Sequence, residues 1–409
     1  MEFESLPETS SNSEQRRATF FSNPIRDMNT GNVTAGVVSG LLALTSPPAL
    51  ILQAASQAHL TRGQTLSWIF AAYVISGLFS IVAPLWYRIP VTAALSLSGV
   101  AFVVTESAHV PFPELLGGYL LSGLIMFIVG ISGVFSKLME HLPVEVIAAM
   151  LSGLTGIYVV HTVQDVVVLP AAGLCAVLGY LAVFRWGKRI PPVVGALVFG
   201  TVALFMTTHL HLGAQTTGFA WPVFQTPRFT VRAVVTVALP LSLLVLSNDV
   251  APGLGAMESF GFRPPIRTLV SLTGLLSAAS GVFGGQSVNV AGMMSAICSD
   301  ESAGVKGRRY VASVVSGSLL VLFGLLSGFI VPFMTVLPSA FLGIMAGFAL
   351  IGVMGSSLQT AFSNSSHRLS AVFTFAVTLS NIRIFDVSSP VWALVGGLVI
   401  AKLLETHRQ

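Results

Sequence analysis

Twelve apolar stretches, separated by short polar or Pro/Gly-rich breaks, run along the chain at 31–58, 64–87, 114–137, 142–163, 166–185, 190–210, 231–256, 266–283, 309–335, 337–361, 367–381 and 388–404. Most are close to the ~20 residues an α-helix needs to cross a bilayer. The expected fold is therefore an all-α integral membrane bundle. Two further apolar stretches, Pro90 to Thr105 and Ser287 to Cys298, are too short to span alone. Each follows a helix breaker, Arg88-Ile89-Pro90 in the first case and Gly284-Gly285 in the second. Counted as discontinuous spans 3 and 10, they bring the expected total to fourteen.

The charges test that count. With both termini inside, all but Arg62, Arg228, Arg232 and Arg383 of the 20 Lys and Arg residues fall on the inner side. Positive residues gather in cytoplasmic loops, so the topology places both termini in the cytoplasm. The net charge of +4 follows from that sorting and gives no reason to expect a nucleic-acid partner. Only 9% of residues are charged, against 54% hydrophobic. A soluble domain carries about 25% charged residues. Residues 1–30 form a polar tail without the apolar core of a cleaved signal peptide. Cys175 and Cys298 form no zinc spacing or disulfide framework. No phosphate-binding Gly-x-x-x-x-Gly-Lys-Ser/Thr loop is present, which favours a secondary carrier over a pump. No cofactor, metal or catalytic constellation is expected; Gly130-Ile131-Ser132-Gly133 matches an intramembrane protease motif only as small residues for helix packing do.

The chain also repeats itself. Ser122-Gly123 and Gly130 recur as Ser316-Gly317 and Gly324, and Leu142-Pro143 and Met150 recur as Leu337-Pro338 and Met345. Repeats of seven spans must insert with opposite orientation, giving a 7+7 inverted repeat with the two short segments at equivalent places. Paired, interrupted spans of this kind point to a transporter's binding site. Loose backbone is tolerated in the membrane where it lines an enclosed cavity. A half-helix starting near the midplane aims its N–H groups and positive dipole end into that cavity. Two such ends facing each other suit a small organic anion.

At these residues the chain resembles the bacterial benzoate membrane-transport family, proton symporters with distant fold relatives among nucleobase, ascorbate and sulfate permeases. The resemblance rests on Thr45-Ser46-Pro47-Pro48 through Leu52-Gln53-Ala54-Ala55, Gln64 and Ser67-Trp68-Ile69, and Ala251-Pro252-Gly253 with Gly261-Phe262 and Pro264-Pro265. Phe283-Gly284-Gly285 through Asn289, Ala291 and Ala296-Ile297-Cys298, then Arg308-Arg309-Tyr310, is its most specific part, and Leu337-Pro338 with Met345-Ala346-Gly347 adds to it. Departures stand beside it. Leu95-Ser96-Leu97-Ser98-Gly99 replaces the family's Trp-Ser-Thr-Pro-Gly, Gln286 stands where His is frequent, and Asn248-Asp249-Val250 replaces Ser-Gln-Asn. The resemblance implies a core domain of spans 1–4 (31–138) and 8–11 (230–335), and a gate domain of spans 5–7 (139–229) and 12–14 (336–409). It further implies a bacterial inner membrane location, proton-coupled uptake of benzoate or a similar aromatic monocarboxylate, and a homodimer formed through the gate domain. The rivals are a nucleobase or inorganic-anion carrier on the same fold, and an anion channel.

Asp249 is the candidate proton carrier, because intramembrane acids are costly and usually functional. The alternative is a structural acid bonded to a hydroxyl of span 1. Asn248, Gln286, Ser287 and Asn289 are candidate substrate contacts, or else partners for loose backbone. Ser96, Ser98 and Gly99 are candidates at the start of half-helix 3, and Thr45 and Ser46 at the kink before Pro47. Glu145 reads as interfacial; His161 and Asp165 read as solvated residues flanking an outer loop, and His209 and His211 as outer-loop residues.

Overall fold

The computed structural model describes residues 24–45, 47–135, 137, 143–187, 192–208, 218–219, 221–334, 336–382, 384 and 387–405; the side chains of Thr45, Phe333 and Met334 are also outside the description. It is mostly helical. Helices α1 (Thr30–Thr45) and α2 (Pro47–Gln57) follow one another across the Pro47-Pro48 break, and α3 (Arg62–Tyr87) returns. A two-residue strand β1 (Ala93–Ala94) then leads into the short helix α4 (Leu97–Ser107), followed by α5 (Phe112–Ser132). Helices α6 (Val144–Val168), α7 (Pro170–Trp186) and α8 (Pro192–Thr207) complete the first half.

The second half opens with α9, a continuous helix over Ala233–Ser259. It carries two wide turns, Ala233–Ala238 and Leu246–Val250. The cause is in the sequence. Pro240 and Pro252 have no N–H to donate four residues back, so bonding slips by one: Leu239 N–H reaches Val234 O and Ala251 N–H reaches Leu246 O. Then come α10 (Ile266–Gly281), strand β2 (Asn289–Val290), short helix α11 (Gly292–Ser299), α12 (Tyr310–Met334), α13 (Ser339–Ala361), α14 (Arg368–Leu379) and α15 (Ser389–Ile400). Seven helical stretches among the described residues are long and apolar enough to cross a membrane: Thr30–Gln57, α3, α5, α6, α9, Lys306–Pro332 and α13.

Small residues set the closest helix crossings. A Cβ on Gly77 in α3 would lie 2.6 Å from Gly317 O in α12, and one on Gly317 would lie 2.6 Å from Gly77 O. A Cβ on Gly123 in α5 would lie 2.8 Å from Gly274 O in α10, and the converse distance is also 2.8 Å. In lipid, helices associate through such close backbone packing. Gly77→Leu is therefore expected to destabilise the fold by about 3 kcal/mol through overpacking. Thermal unfolding in detergent checks this, and an unchanged midpoint would show that the crossing has room to spare.

On one face of the bundle Asp27 ties three segments together. Tyr310 Oη donates to Asp27 Oδ2 at 2.7 Å, Arg308 Nε lies 3.4 Å and Arg88 Nη1 3.7 Å from the same carboxylate, and the Arg88 guanidinium stacks 4.4 Å from the Tyr310 ring centre.

One local expectation changes. Helix α6 runs to Val168, so His161 and Asp165 lie on its last turns rather than beside an outer loop, and only His161 is exposed. The helix continues because the first breaker is Pro170. Glu145 opens the same helix, with Oε2 3.8 Å from His367 Nδ1. Ser132 Oγ donates to the carbonyl of Val129 at 3.1 Å at an exposed helix end, and among the described residues no His, Asp, Glu or Lys side chain is bonded to it. His209 and His211 lie outside the described residues.

Candidate functional site

Strands β1 and β2 pair antiparallel, with Ala93 opposite Val290 and Ala94 opposite Asn289. Two residues give one ladder step, far too little for an independent sheet. Serines on the neighbouring long helices supply the rest. Ser80 Oγ of α3 accepts from Ala93 N at 2.7 Å and donates to Ala93 O at 3.0 Å. Ser277 Oγ of α10 does the same to Val288, accepting from its N and donating to its O, both at 2.8 Å. Each clamp replaces ladder bonds that an extended segment would otherwise lack. Buried backbone groups need such partners. Ala291 N donates to Thr92 O at 2.9 Å, and the Ser295 hydroxyl of α11 receives Thr92 N at 3.2 Å.

From this crossing the two short helices begin. Ser96 caps α4, its Oγ accepting from Gly99 N at 2.9 Å. Its own N–H donates to Ser287 Oγ at 3.0 Å, and its carbonyl accepts from Gln286 Nε2 at 2.9 Å. The start of α11 differs: Ala291 holds the cap position and no side chain caps the helix. A Cβ on Gly292, the first residue of α11, would lie 3.4 Å from Pro252 Cβ and 3.6 Å from Asp249 O. The uncapped end of α11 thus abuts the wide turn of α9.

Asp249 sits on that wide turn. Its Oδ2 receives the Ser96 hydroxyl at 2.5 Å and the Ser98 hydroxyl at 3.3 Å, and the two serine oxygens are 2.9 Å apart. The acid's partners are therefore hydroxyls of α4. Thr45 and Ser46, the hydroxyls of the first span at its kink, have side chains outside the description, so these partners are the acid's bonds among the described residues. A serine at a helix start that both caps the helix and faces a carboxylate positions that carboxylate against the helix dipole.

Seven of the sequence candidates meet here: Ser96, Ser98, Gly99, Asp249, Gln286, Ser287 and Asn289. Ser96 and Gln286 are wholly buried, with Ser287 and Asn289 at 2% and 1% exposure. Their bonds run to one another and to backbone; Ser287 Oγ donates to Asn289 Oδ1 at 3.5 Å and Asn289 Nδ2 to Val290 O at 3.4 Å. Gln286 Oε1 is buried without a hydrogen-bond partner among the described residues. Asp249 remains partly accessible, beside exposed Pro252 and Met293. Asn248 points elsewhere, donating from Nδ2 to Ser247 Oγ at 3.3 Å; successive helical residues diverge by about 100°. Thr45 ends α1 with its side chain outside the description, and Ser46 lies outside the described residues. Sequence reasoning missed Ser80, Ser277, Thr92 and Ser295, since a serine inside an apolar span reads as a packing residue. Among the described residues, no three His, Cys, Asp or Glu side chains group as metal ligands would.

Residues 26–403 match the family model described as benzoate membrane transport protein. The inner membrane protein YdcO of Escherichia coli (strain K12) is 32% identical over 368 residues, covering 89% of this chain and 93% of the relative. The benzoate membrane transport protein of Acinetobacter baylyi is 26% identical over 375 residues, covering 91% and 95%. The transmembrane domain of a cyanobacterium bicarbonate transporter, BicA, superposes with a TM-score of 0.56 at 15% identity, over 91% of this chain and 97% of that one. SLC26A9 superposes with a TM-score of 0.65 at 14% identity, over 97% of this chain and 70% of that one. At such identities the structures speak for the fold alone, a membrane-transporter bundle. The sequence relatives make the chain a multi-pass membrane transporter rather than an enzyme. From residue 26 to residue 403, the chain belongs to the benzoate membrane transport protein family.

Proposed function

We propose that the protein carries benzoate or a similar aromatic monocarboxylate into the cell together with protons, by alternating access. The observation that carries this reading is the placement of Asp249. A single acid is held by Ser96 and Ser98 at the start of one short helix, next to the uncapped start of another. The substrate carboxylate docks at the first N–H groups of α11, near Gly292, where the helix end favours an anion. Ser96 and Ser98 hold Asp249 from one side, and the Gly99 N–H fixes the Ser96 hydroxyl. Gln286, Ser287 and Asn289 keep the extended segments rigid from beneath.

Coupling then follows from electrostatics. Two like charges about 6 Å apart, at an effective dielectric near 20, repel by roughly 3 kcal/mol. That is about a hundredfold in binding. The anion therefore binds the form of the carrier in which Asp249 holds a proton, and the two travel together.

The fourteen-span, 7+7 inverted repeat is part of the same proposal, and the crossings support it. Gly77 and Ser80 are each followed 197 positions later by Gly274 and Ser277, and Gly123 by Gly317 after 194. The α3–α12 and α5–α10 glycine contacts are thus the same crossing made twice. Likewise Ser80 clamps Ala93 as Ser277 clamps Val288. Ala94, which pairs with Asn289, is 195 residues from it, so a pseudo-two-fold axis would pass through that pair. Helices α1–α5 and α9–α12 would form the core domain, and α6–α8 with α13–α15 the gate domain and dimer surface. Both termini would be cytoplasmic, in a bacterial inner membrane.

Counterflow in proteoliposomes tests the substrate class. Vesicles loaded with unlabelled benzoate should take up labelled benzoate, and aromatic monocarboxylates should compete within about tenfold of one another. Competition by nucleobases or bicarbonate, with none by aromatic acids, would overturn the substrate assignment.

A further inference from the structure

The bundle holds a cavity of about 510 Å³ away from Asp249, within the range of small-molecule sites. Leu60, Phe112, Leu116 and Phe224 supply apolar and aromatic wall, and Gln64 and Gln225 supply amides. Among the described residues, no Asp or Glu lines it. The amide geometry is fixed by the local fold. Gln64 closes a capping box at the start of α3, its Oε1 accepting from Thr61 N at 2.9 Å. Its Nε2 must therefore face outward, and it donates to Gln225 Oε1 at 3.3 Å. The other end of the Gln225 amide, Nε2, is then left over. Gln225 is only 6% exposed, and this N–H₂ group is buried with no hydrogen-bond partner among the described residues. A buried donor without an acceptor costs roughly 1–3 kcal/mol, and an acceptor in the cavity that met it after a small turn of the Gln225 side chain would recover that cost.

The segment bearing Phe224 and Gln225 is strapped down rather than loose. Val223 N donates to Ser67 Oγ at 2.8 Å, Gln225 N to Val282 O at 3.0 Å, and Arg228 N to Pro113 O at 2.7 Å. Ser67 Oγ also donates to Phe283 O at 2.8 Å. The cavity therefore rests on the turn 282–285. Gly284 has φ +97°, and a Cβ there would lie 3.7 Å from Phe112 Cζ. Two residues on, Gln286 holds the Ser96 carbonyl. One turn thus joins this cavity to the Asp249 site.

We propose that this cavity is a second binding site, which takes an aromatic monocarboxylate on the outer face before it reaches Asp249. The ring packs between Phe112, Leu116 and Phe224, and the carboxylate accepts from Gln225 Nε2. This rests on the substrate class and membrane orientation proposed above. No acidic side chain among the described lining residues repels the anion.

The test is equilibrium binding of labelled benzoate to the purified full-length protein. Wild type is expected to bind two equivalents, Gln225→Leu one, and Ser96→Leu, which fills the start of α4, also one. Gln225→Glu guards against a folding effect. It preserves size and the acceptor for Gln64 while setting a negative charge against the ligand, and it too should bind one equivalent. Two equivalents in both Gln225 variants would overturn the proposal. So would a single equivalent in wild type that is lost in Ser96→Leu and kept in Gln225→Leu, although the function proposed for Asp249 would stand. No benzoate bound by wild type would remove the second site together with the substrate class.

Discussion

Asp249→Asn is expected to abolish gradient-driven accumulation of substrate while leaving counterflow exchange. The asparagine keeps the size of the side chain and an oxygen for the Ser96 and Ser98 hydroxyls, which now reach the carboxylate at 2.5 and 3.3 Å. The α4 cap, made by Ser96 Oγ to Gly99 N, is independent of that charge. The fold and the anion's own docking place should therefore survive. What is lost is the exchangeable proton. A permanently neutral side chain no longer repels the anion in either orientation, so the loaded carrier can cycle, but no proton need accompany it. Removing a proton-transfer group costs about 10²–10⁴ in rate in enzymes, and a drop of at least ~100-fold in the gradient-driven initial rate is expected here. Counterflow should stay within about tenfold of wild type.

A graded series at Gly292 should separate docking from coupling. A Cβ at this position meets Pro252 and Asp249 O at ordinary contact distance, 3.4 and 3.6 Å. Gly292→Ala should therefore fold and transport with less than a tenfold loss. Gly292→Phe would push a ring into the space between the start of α11 and the wide turn of α9. Because φ at Gly292 is not in the left-handed region, the larger side chain meets a steric limit and not a backbone one. Exchange and accumulation should both fall by at least about a hundredfold, the order that misplaced reactants lose. Detergent-solubilised protein of normal elution volume would exclude misfolding. Wild-type exchange in Gly292→Phe would move the docking place away from α11.

The bundle was legible because lipid demands long apolar helices, and no other explanation suits twelve such stretches with so few charges. The short stretches after Pro90 and Gly285 were visible for the converse reason, since neither is long enough to cross. What joins them was not visible. A two-residue strand has no periodicity, and its register, Ala94 opposite Asn289, depends on contacts across half the chain. The clamps by Ser80 and Ser277 are single hydroxyls in spans where serine is common. Their repeat spacing of 197 differs from the 194 that joins Ser122-Gly123 to Ser316-Gly317, so loop-length differences hid it. Asp249 stood out by cost alone, but its partners did not: Ser96 and Ser98 lie about 150 residues away, and only the packing of α4 against α9 brings them to it. The wide turn under Asp249 did have a sequence signal, Pro252, whose missing N–H forces the bonding to slip.

The most direct test of proton-coupled carriage through Asp249 is the net gain of benzoate by proteoliposomes that are alkaline inside and hold benzoate at equal concentration and equal specific activity on both sides, so that exchange alone leaves the internal label unchanged. Rates are taken early and corrected with protein-free vesicles, because the neutral acid also crosses lipid. Wild type should show net inward flux that a protonophore abolishes, and Asp249→Asn vesicles should show none above the protein-free rate while still exchanging label in the separate counterflow assay. Net gradient-driven flux of wild-type size in the Asp249→Asn protein would contradict the role of Asp249.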